Sequence, residues 1–411
     1  MLRTGKTPRS TAIGVIFCVL CTGLLVAPAA AQVQGGQLQE IEGEGQRDQL
    51  QVVVRSPDAE LQRHVQRAFS FHGAFEVRAS GRSHFVFEFE PVGRSTVELV
   101  ISSAGQQLLQ ERFEGRDTFQ AAAKAADYAV RRTTNRPGFF AGTISFVSER
   151  TGHPEIYMAD FLLGELVQLT RKESQSMLPA LAPDGSKLLF TSYFRNGFPD
   201  LYEIDLRTNE LKVFAGFRGL NTGASFSPDG SRVALILSGS GNAEVFTANA
   251  QGGQFQRLTR TAALEADPHW SPDGRRIVYT SDELGRPQIF VMNADGSGRR
   301  RLPTNVSRNC SEPTWNPVNA NQIAFTAAVA GEFEICLYEM GGGDARILTR
   351  GAGDAVGPVW LPDGRHLLYT QRTRNSSRLA VLDTLTGRQT PLTPESWGAC
   401  SMPDYAPFLR R

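Results

Sequence analysis

Apolar residues follow two different rules along this 411-residue chain. In the first part the spacing alternates between strand and helix. Gln51-Val52-Val53-Val54 is a short apolar run that reads as a strand. Ser56-Pro57 has the form of an N-cap followed by a first-turn proline, and Leu61, Val65, Ala68 and Phe69 then recur on one helical face until Gly73 stops the pattern. Phe85, Phe87 and Phe89 alternate with other residues, as do Val97, Leu99 and Ile101, and Leu108 to Phe113 adds a third such run. Asp117 is placed to cap a second helix with Gln120 as its reciprocal partner. Phe119, Ala122, Ala126 and Val130 form its apolar stripe, and Asn135-Arg136-Pro137-Gly138 ends it. The predicted order is β-α-β-β-β-α, a small α/β domain over residues 50–137.

Beyond residue 138 the pattern becomes periodic. Apolar triplets such as Leu188-Leu189-Phe190, Val233-Ala234-Leu235, Ile277-Val278-Tyr279, Ile323-Ala324-Phe325 and Leu367-Leu368-Tyr369 recur about every 45 residues. Most follow a Pro-Asp-Gly turn, at Pro183, Pro228, Pro272 and Pro362. The gap between the last two holds a weaker copy at Trp315-Asn316-Pro317. Glycine supplies the positive φ of such a turn and aspartate caps its backbone. A polar loop, a third strand such as Gln288 to Met292, and a fourth ending in Leu-Thr (Leu258-Thr259, Leu348-Thr349, Leu392-Thr393) complete each unit. Four antiparallel strands per repeat are a propeller blade. Ile144-Ser145-Phe146 begins a copy that lacks its first strand, and Cys400 to Pro407 is a first strand with no blade after it. The C-terminal strand therefore closes a six-bladed all-β propeller over residues 138–411. A solenoid would instead need distinct polar caps at its two ends.

The ends carry other signals. Arg3, Lys6 and Arg9 precede an apolar run from Thr11 to Ala27, and Ala29-Ala30-Ala31 offers small residues for cleavage, so residues 1–31 read as a secretory signal peptide; a retained anchor is the rival reading. Residues 32–49 are rich in Gln, Glu and Gly and read as a flexible arm. Beyond the leader stand Cys310, Cys336 and Cys400, an odd set. Cys310 and Cys400 fall at equivalent rim positions two blades apart, too far for a disulfide.

Composition changes the picture little. A formal charge of +1 asks for neither nucleic acid nor an acidic surface, and 40 glycines suit a turn-rich β protein. No G-x-S-x-G elbow, phosphate loop or His/Asp/Glu metal spacing stands out. What remains is the channel mouth, lined by residues just before each inner-strand proline. The candidate partner-binding residues are Asn221, Thr222, Glu265, Asp267, His269, Ser311, Glu312, Asp354 and Met402. The set is polar and mildly acidic, which suits a partner loop or peptide and leaves room for a channel cation, with no cofactor otherwise expected. An exported propeller enzyme, or a glycan- or peptide-sensing module, is the alternative, and would draw on His269 with Asp267 and Glu265.

The segments Pro268-His269-Trp270-Ser271-Pro272-Asp273-Gly274, Ile277 to Phe290 and Thr134 to Gly142, together with the leader and the front domain, resemble the TolB family of the Tol–Pal system. The resemblance implies a periplasmic, non-enzymatic adaptor that supports outer-membrane integrity and cell division. It implies that the mouth binds the lipoprotein Pal, with Asn221, Thr222, Asp267 and Glu312 on that rim. It further implies that the arm, with Gln32, Val33, Leu38 and Ile41, engages TolA.

Overall fold

The structure is a computed structural model that describes residues 49–195, 197–351 and 353–407. The expected leader, and the arm residues Gln32, Val33, Leu38 and Ile41, lie outside the described residues.

The first part is a five-stranded sheet with two helices: β1 (Leu50–Arg55), α1 (Ala59–Phe71), β2 (Phe75–Arg78), β3 (Phe85–Pro91), β4 (Thr96–Ser103), β5 (Gln106–Glu114) and α2 (Thr118–Thr134). The strand order is β2-β1-β3-β4-β5, with β1 parallel to both neighbours. Three expectations change. The cap of α1 is Asp58, whose carboxylate accepts the Leu61 amide, while Ser56 supports the Asp58 amide. The short strand β2 was not foreseen; it follows Gly73 at once and pairs with β1 as a sheet edge. Asp117 caps α2 as expected, but Gln120 reaches back to the amide of Arg116 rather than Asp117. The alanine stripe of α2 (Ala122, Ala125, Ala126, Ala129) is fully buried, and small side chains let that helix approach the sheet closely.

Six four-stranded antiparallel sheets follow. Their inner strands are Ser176–Leu181, Asn221–Phe226, Glu265–Trp270, Cys310–Trp315, Asp354–Trp360 and Cys400–Ala406. The last pairs with Thr143–Ser148, so the C-terminal strand completes the first blade and the ring is closed. Closure removes the free sheet edges of an open array.

The Pro-Asp-Gly turns work as their chemistry requires. Gly185, Gly230, Gly274 and Gly364 have φ of 64, 70, 66 and 63°. Asp229 and Asp273 each accept a serine hydroxyl two residues earlier, at 2.6 Å, and an amide two residues later. In the fifth blade, which lacks the motif, Asn316 Oδ1 takes the amides of Val318 and Asn319 at 2.9 Å and serves in the same way. Between blades, Arg232 lies over Trp270 at 4.4 Å and Arg276 over Trp315 at 4.7 Å.

The α/β unit docks on the turn end of the sixth and first blades, and one apolar core runs from Val52 and Phe69 through Phe139 and Phe140 to Leu379 and Leu392. The contact is close. A Cβ on Gly73 would sit 1.6 Å from Asp383 Oδ2. Arg67 donates to the Leu392 carbonyl at 3.1 Å and Arg388 to the Ser70 carbonyl at 2.9 Å. The opposite end of the ring, where the inner strands begin, is the mouth.

The three described cysteines are free and buried, which corrects the rim placement of Cys310 and Cys400. Cys310 and Cys336 lie on strands either side of Gln322–Val329, opposite Ala327 and Phe325. Two strand spacings, about 9.5 Å, exceed the reach of a disulfide.

Candidate functional site: the propeller mouth

Each inner strand carries the same irregularity near its start. The third residues of five strands, Leu178, Gly223, Asp267, Glu312 and Met402, have φ of 52, 64, 51, 52 and 50°, and Gly357 of the remaining strand has 60°. At that point the register with the second strand slips in all six blades. This is a bulge repeated around a ring, and bulges re-aim side chains next to functional sites. Four of the six residues are not glycine, and left-handed backbone at such positions costs about 1 kcal/mol or more each. The next residue is proline in every blade but one, where Ala224 stands.

The bulges stitch the blades together. The Glu312 amide donates to Asp267 Oδ2 (3.3 Å), and the Gly357 amide donates to Glu312 Oε2 (2.8 Å). The Met402 amide donates to Thr370 Oγ1 (3.0 Å). Asp267 and Glu312 also accept Thr280 and Thr326 hydroxyls at 3.2 and 2.6 Å. Burial, then the Glu312 charge, push the Asp267 carboxyl up to about 6. One step further along the strands the device repeats. Asp404 accepts the Leu181 amide at 2.6 Å, and burial pushes its carboxyl up to about 7. His269 Nδ1 lies 3.0 Å from the Trp270 carbonyl and 3.2 Å from the Trp315 amide; burial lowers the ring to about 4 and keeps it neutral.

The sequence candidates therefore separate. Asp267, Glu312 and Met402 belong to the bulge ring, with Met402 38% exposed. Thr222, Ser311 and Asp354 are half-buried. Thr222 bonds Thr191 across blades at 2.8 Å, and Asp354 is held by Arg372 (2.9 Å) and the Phe333 amide (2.9 Å). His269 is a half-buried packing residue between blades. Asn221 and Glu265 are corrected: both are buried and present no free surface. Asn221 clamps its own loop, accepting the Phe217 amide and donating to the Phe217, Gly219 and Pro199 carbonyls. Glu265 sits against Thr261 (2.8 Å), Ser281 (3.3 Å) and Glu244; burial, opposed by Thr261 and helped by the Glu244 charge, pushes it up to about 7. Leu178, Gly223 and Gly357 were missed. Their side chains share no chemistry, and the one available signal was the fixed offset before the inner-strand proline.

Among the described residues, His72, Asp363 and His366 form a group with metal-ligand atoms within 4.8 Å of one another, buried at the contact with the α/β unit. Its hydrogen bonds argue for a different role. The Gly73 amide donates to His366 Nε2 (2.9 Å), so Nδ1 carries the proton, 2.5 Å from Asp363 Oδ2. The Ala74 amide donates to His72 Nδ1 (3.3 Å), so Nε2 carries the proton, 3.7 Å from the same oxygen. Both nitrogens facing the carboxylate hold protons rather than lone pairs, and the trio is a latch between the two parts.

Comparison with known proteins agrees with this architecture. The family model described as "TolB beta propeller domain" matches residues 130–409. A Tol-Pal system protein TolB of Anaeromyxobacter dehalogenans (strain 2CP-1 / ATCC BAA-258) is 35% identical over 169 residues, 41% of this chain and 38% of that protein. A protein TolB homolog of Chlorobaculum tepidum is 33% identical over 171 residues, covering 41% of this chain and 39% of the relative. The chain thus spans about two fifths of the length of these curated relatives. The crystal structure of TolB from Acinetobacter baumannii superposes with a TM-score of 0.77 at 23% identity, over 88% of this chain and 98% of that one, a likeness of fold.

Proposed function

The chain belongs to the TolB β-propeller family, and from that premise we propose that it is a binding adaptor of the Tol–Pal envelope system, working in the periplasm without catalysis. In this reading the mouth receives Pal and the arm of residues 32–49 engages TolA, coupling the two in support of outer-membrane integrity and cell division. The names of its relatives, Tol-Pal system protein TolB and TolB homolog, support the assignment to that system.

The observation that carries the reading is the state of the polar groups in the mouth. Asp267 and Glu312 are tied to neighbouring blades by backbone amides and threonine hydroxyls, and His269 is wedged between Trp270 and Trp315. Groups held this way shape and stiffen a ring; a general acid or base needs a free proton path to a reacting atom. The ring offers a fixed rim with Met402 exposed on it, the kind of concave, preformed surface that suits a partner loop.

The test is capture of purified Pal by the exported protein. Wild type should retain Pal, and Met402→Asp should weaken retention about tenfold with unchanged melting. Deleting residues 32–42 should abolish TolA binding and, if the arm and mouth are coupled, shift Pal affinity as well. Failure of wild type to hold Pal would refute the reading.

A further inference from the structure

Several arginines at the turn end of the propeller are engaged: Arg232 and Arg276 lie on tryptophans, Arg365 pairs with Asp383 at 2.7 Å, and Arg346 donates to the Thr384 carbonyl. At the mouth end, five of the six loops that lead into an inner strand carry an exposed arginine: Arg171, Arg218, Arg260, Arg308 and Arg350. Arg286, on the adjoining loop of the fourth blade, is a sixth. None of the six makes a side-chain hydrogen bond, an ion pair or a ring contact with another described residue.

Glu149, Glu173 and Glu395 stand exposed at the same end beside the first blade, whereas the carboxylates nearest the other arginines are held. Asp354 is bound by Arg372, Glu283 by Arg299, Asp282 by the Leu264 amide, and Glu332 by the Gly353 amide. Large apolar side chains stand among the arginines, with Leu264 57% and Leu284 61% exposed. Arg286 and Arg308, with Arg301 and Leu284, line an open cleft of about 710 Å³ in which no acidic residue takes part. The centre of the mouth has the opposite sign, with Asp267 and Glu312 in the bulge ring.

We propose that this end of the propeller docks an acidic protein surface, the arginine corona meeting carboxylates that surround a non-acidic segment seated over the mouth. The proposal rests on the adaptor reading and specifies the chemistry of its partner. Arginine is enriched in protein interfaces, and exposed apolar side chains beside it add surface that a partner can cover. The concentric charge pattern favours a protein over a membrane, because a uniformly anionic plane would set its charges over Asp267 and Glu312 as well. A ring of unpaired cations also steers an acidic partner from a distance, an effect that salt screens within about 10 Å at 0.1 M.

Fluorescent poly-L-glutamate is the probe, titrated into the protein at about 25 and about 200 mM NaCl. Binding should weaken about tenfold or more across that range. The triple variant Arg260→Glu, Arg308→Glu, Arg350→Glu should lose about tenfold at low salt, while Arg207→Glu with Arg275→Glu, at the turn end, should stay within about twofold. Equal affinity of the two variants, or no binding at low salt, overturns the proposal. Phosphatidylglycerol vesicles bound through the same arginines, with poly-glutamate ignored, also overturn it in favour of a lipid. Pal retained by the triple variant as well as by wild type counts against the corona alone. Poly-glutamate binding without Pal capture counts against the adaptor reading alone.

Discussion

The backbone amide of Glu312 donates to the carboxylate of Asp267 across the boundary between two blades, 3.3 Å away. Glu312 in turn receives the Gly357 amide. The mouth is thus a chain of contacts in which each blade holds the next, and its left-handed residues are the places where that chain is threaded.

The first prediction concerns those residues. Leu178 is strained at a φ of 52° that glycine takes freely, so Leu178→Gly should be neutral or stabilising by up to about 1 kcal/mol. Gly357→Val, at φ 60°, should destabilise by about 1–2 kcal/mol. Urea unfolding of the two variants reads both; a loss for Leu178→Gly as large as that for Gly357→Val would contradict the strain argument.

The second concerns pH. Asp404 has a folded value of about 7 against an ordinary 3.8, raised by burial. The fold therefore binds this proton more tightly than the unfolded chain does. The stability it adds is full below about pH 4 and is lost as pH rises through about 7. Asparagine keeps an acceptor for the Leu181 amide, so Asp404→Asn should flatten the stability curve between those limits without disrupting the ring. Denaturant titrations at several pH values would show the difference.

The third uses the latch. Burial, then the neighbouring His366, hold the His72 pKa well below its ordinary 6.5, so the ring is neutral when folded. A depressed histidine contributes stability above about pH 6.5 that is lost as pH falls. His72→Phe fits among Phe75 and Phe139 and removes the titrating group, so its stability should fall less between pH 7 and 5 than that of wild type. Gly73→Ala should fail differently. Its Cβ meets Asp383 at any pH, and a loss of about 2 kcal/mol or more is expected in calorimetry.

The fourth concerns the thiols. Burial pushes Cys336 up to about 12 and Cys400 up to about 11, and all three cysteines are inaccessible. A thiol reagent should modify none of them in the native protein at pH 8 and all three after unfolding without reductant. Any pair that stays unreactive after unfolding would reveal a disulfide.

The blade count and the closure were legible because turn chemistry repeats in letters: proline, aspartate and glycine do one job each, wherever the turn occurs. The bulge ring was not legible because its members are leucine, glycine, aspartate, glutamate, glycine and methionine, and a residue before proline is ordinarily expected to be extended. The Leu-Thr endings read as strand ends only, yet their threonines are also ties. Thr170, Thr259, Thr349 and Thr393 accept the amides of Ile156, Val245, Ile335 and Leu379, binding fourth strand to third. Asn221 and Glu265 were polar residues at a mouth position, and polarity alone does not distinguish a side chain that faces water from one consumed by its own loop.

The first blade borrows its innermost strand from Cys400–Ala406, the last of the described strands. Thr143–Ser148 must wait for a partner made only after the other five blades. Until Cys400–Ala406 is made, the growing ring is a horseshoe with one adhesive edge, open to pairing with another chain.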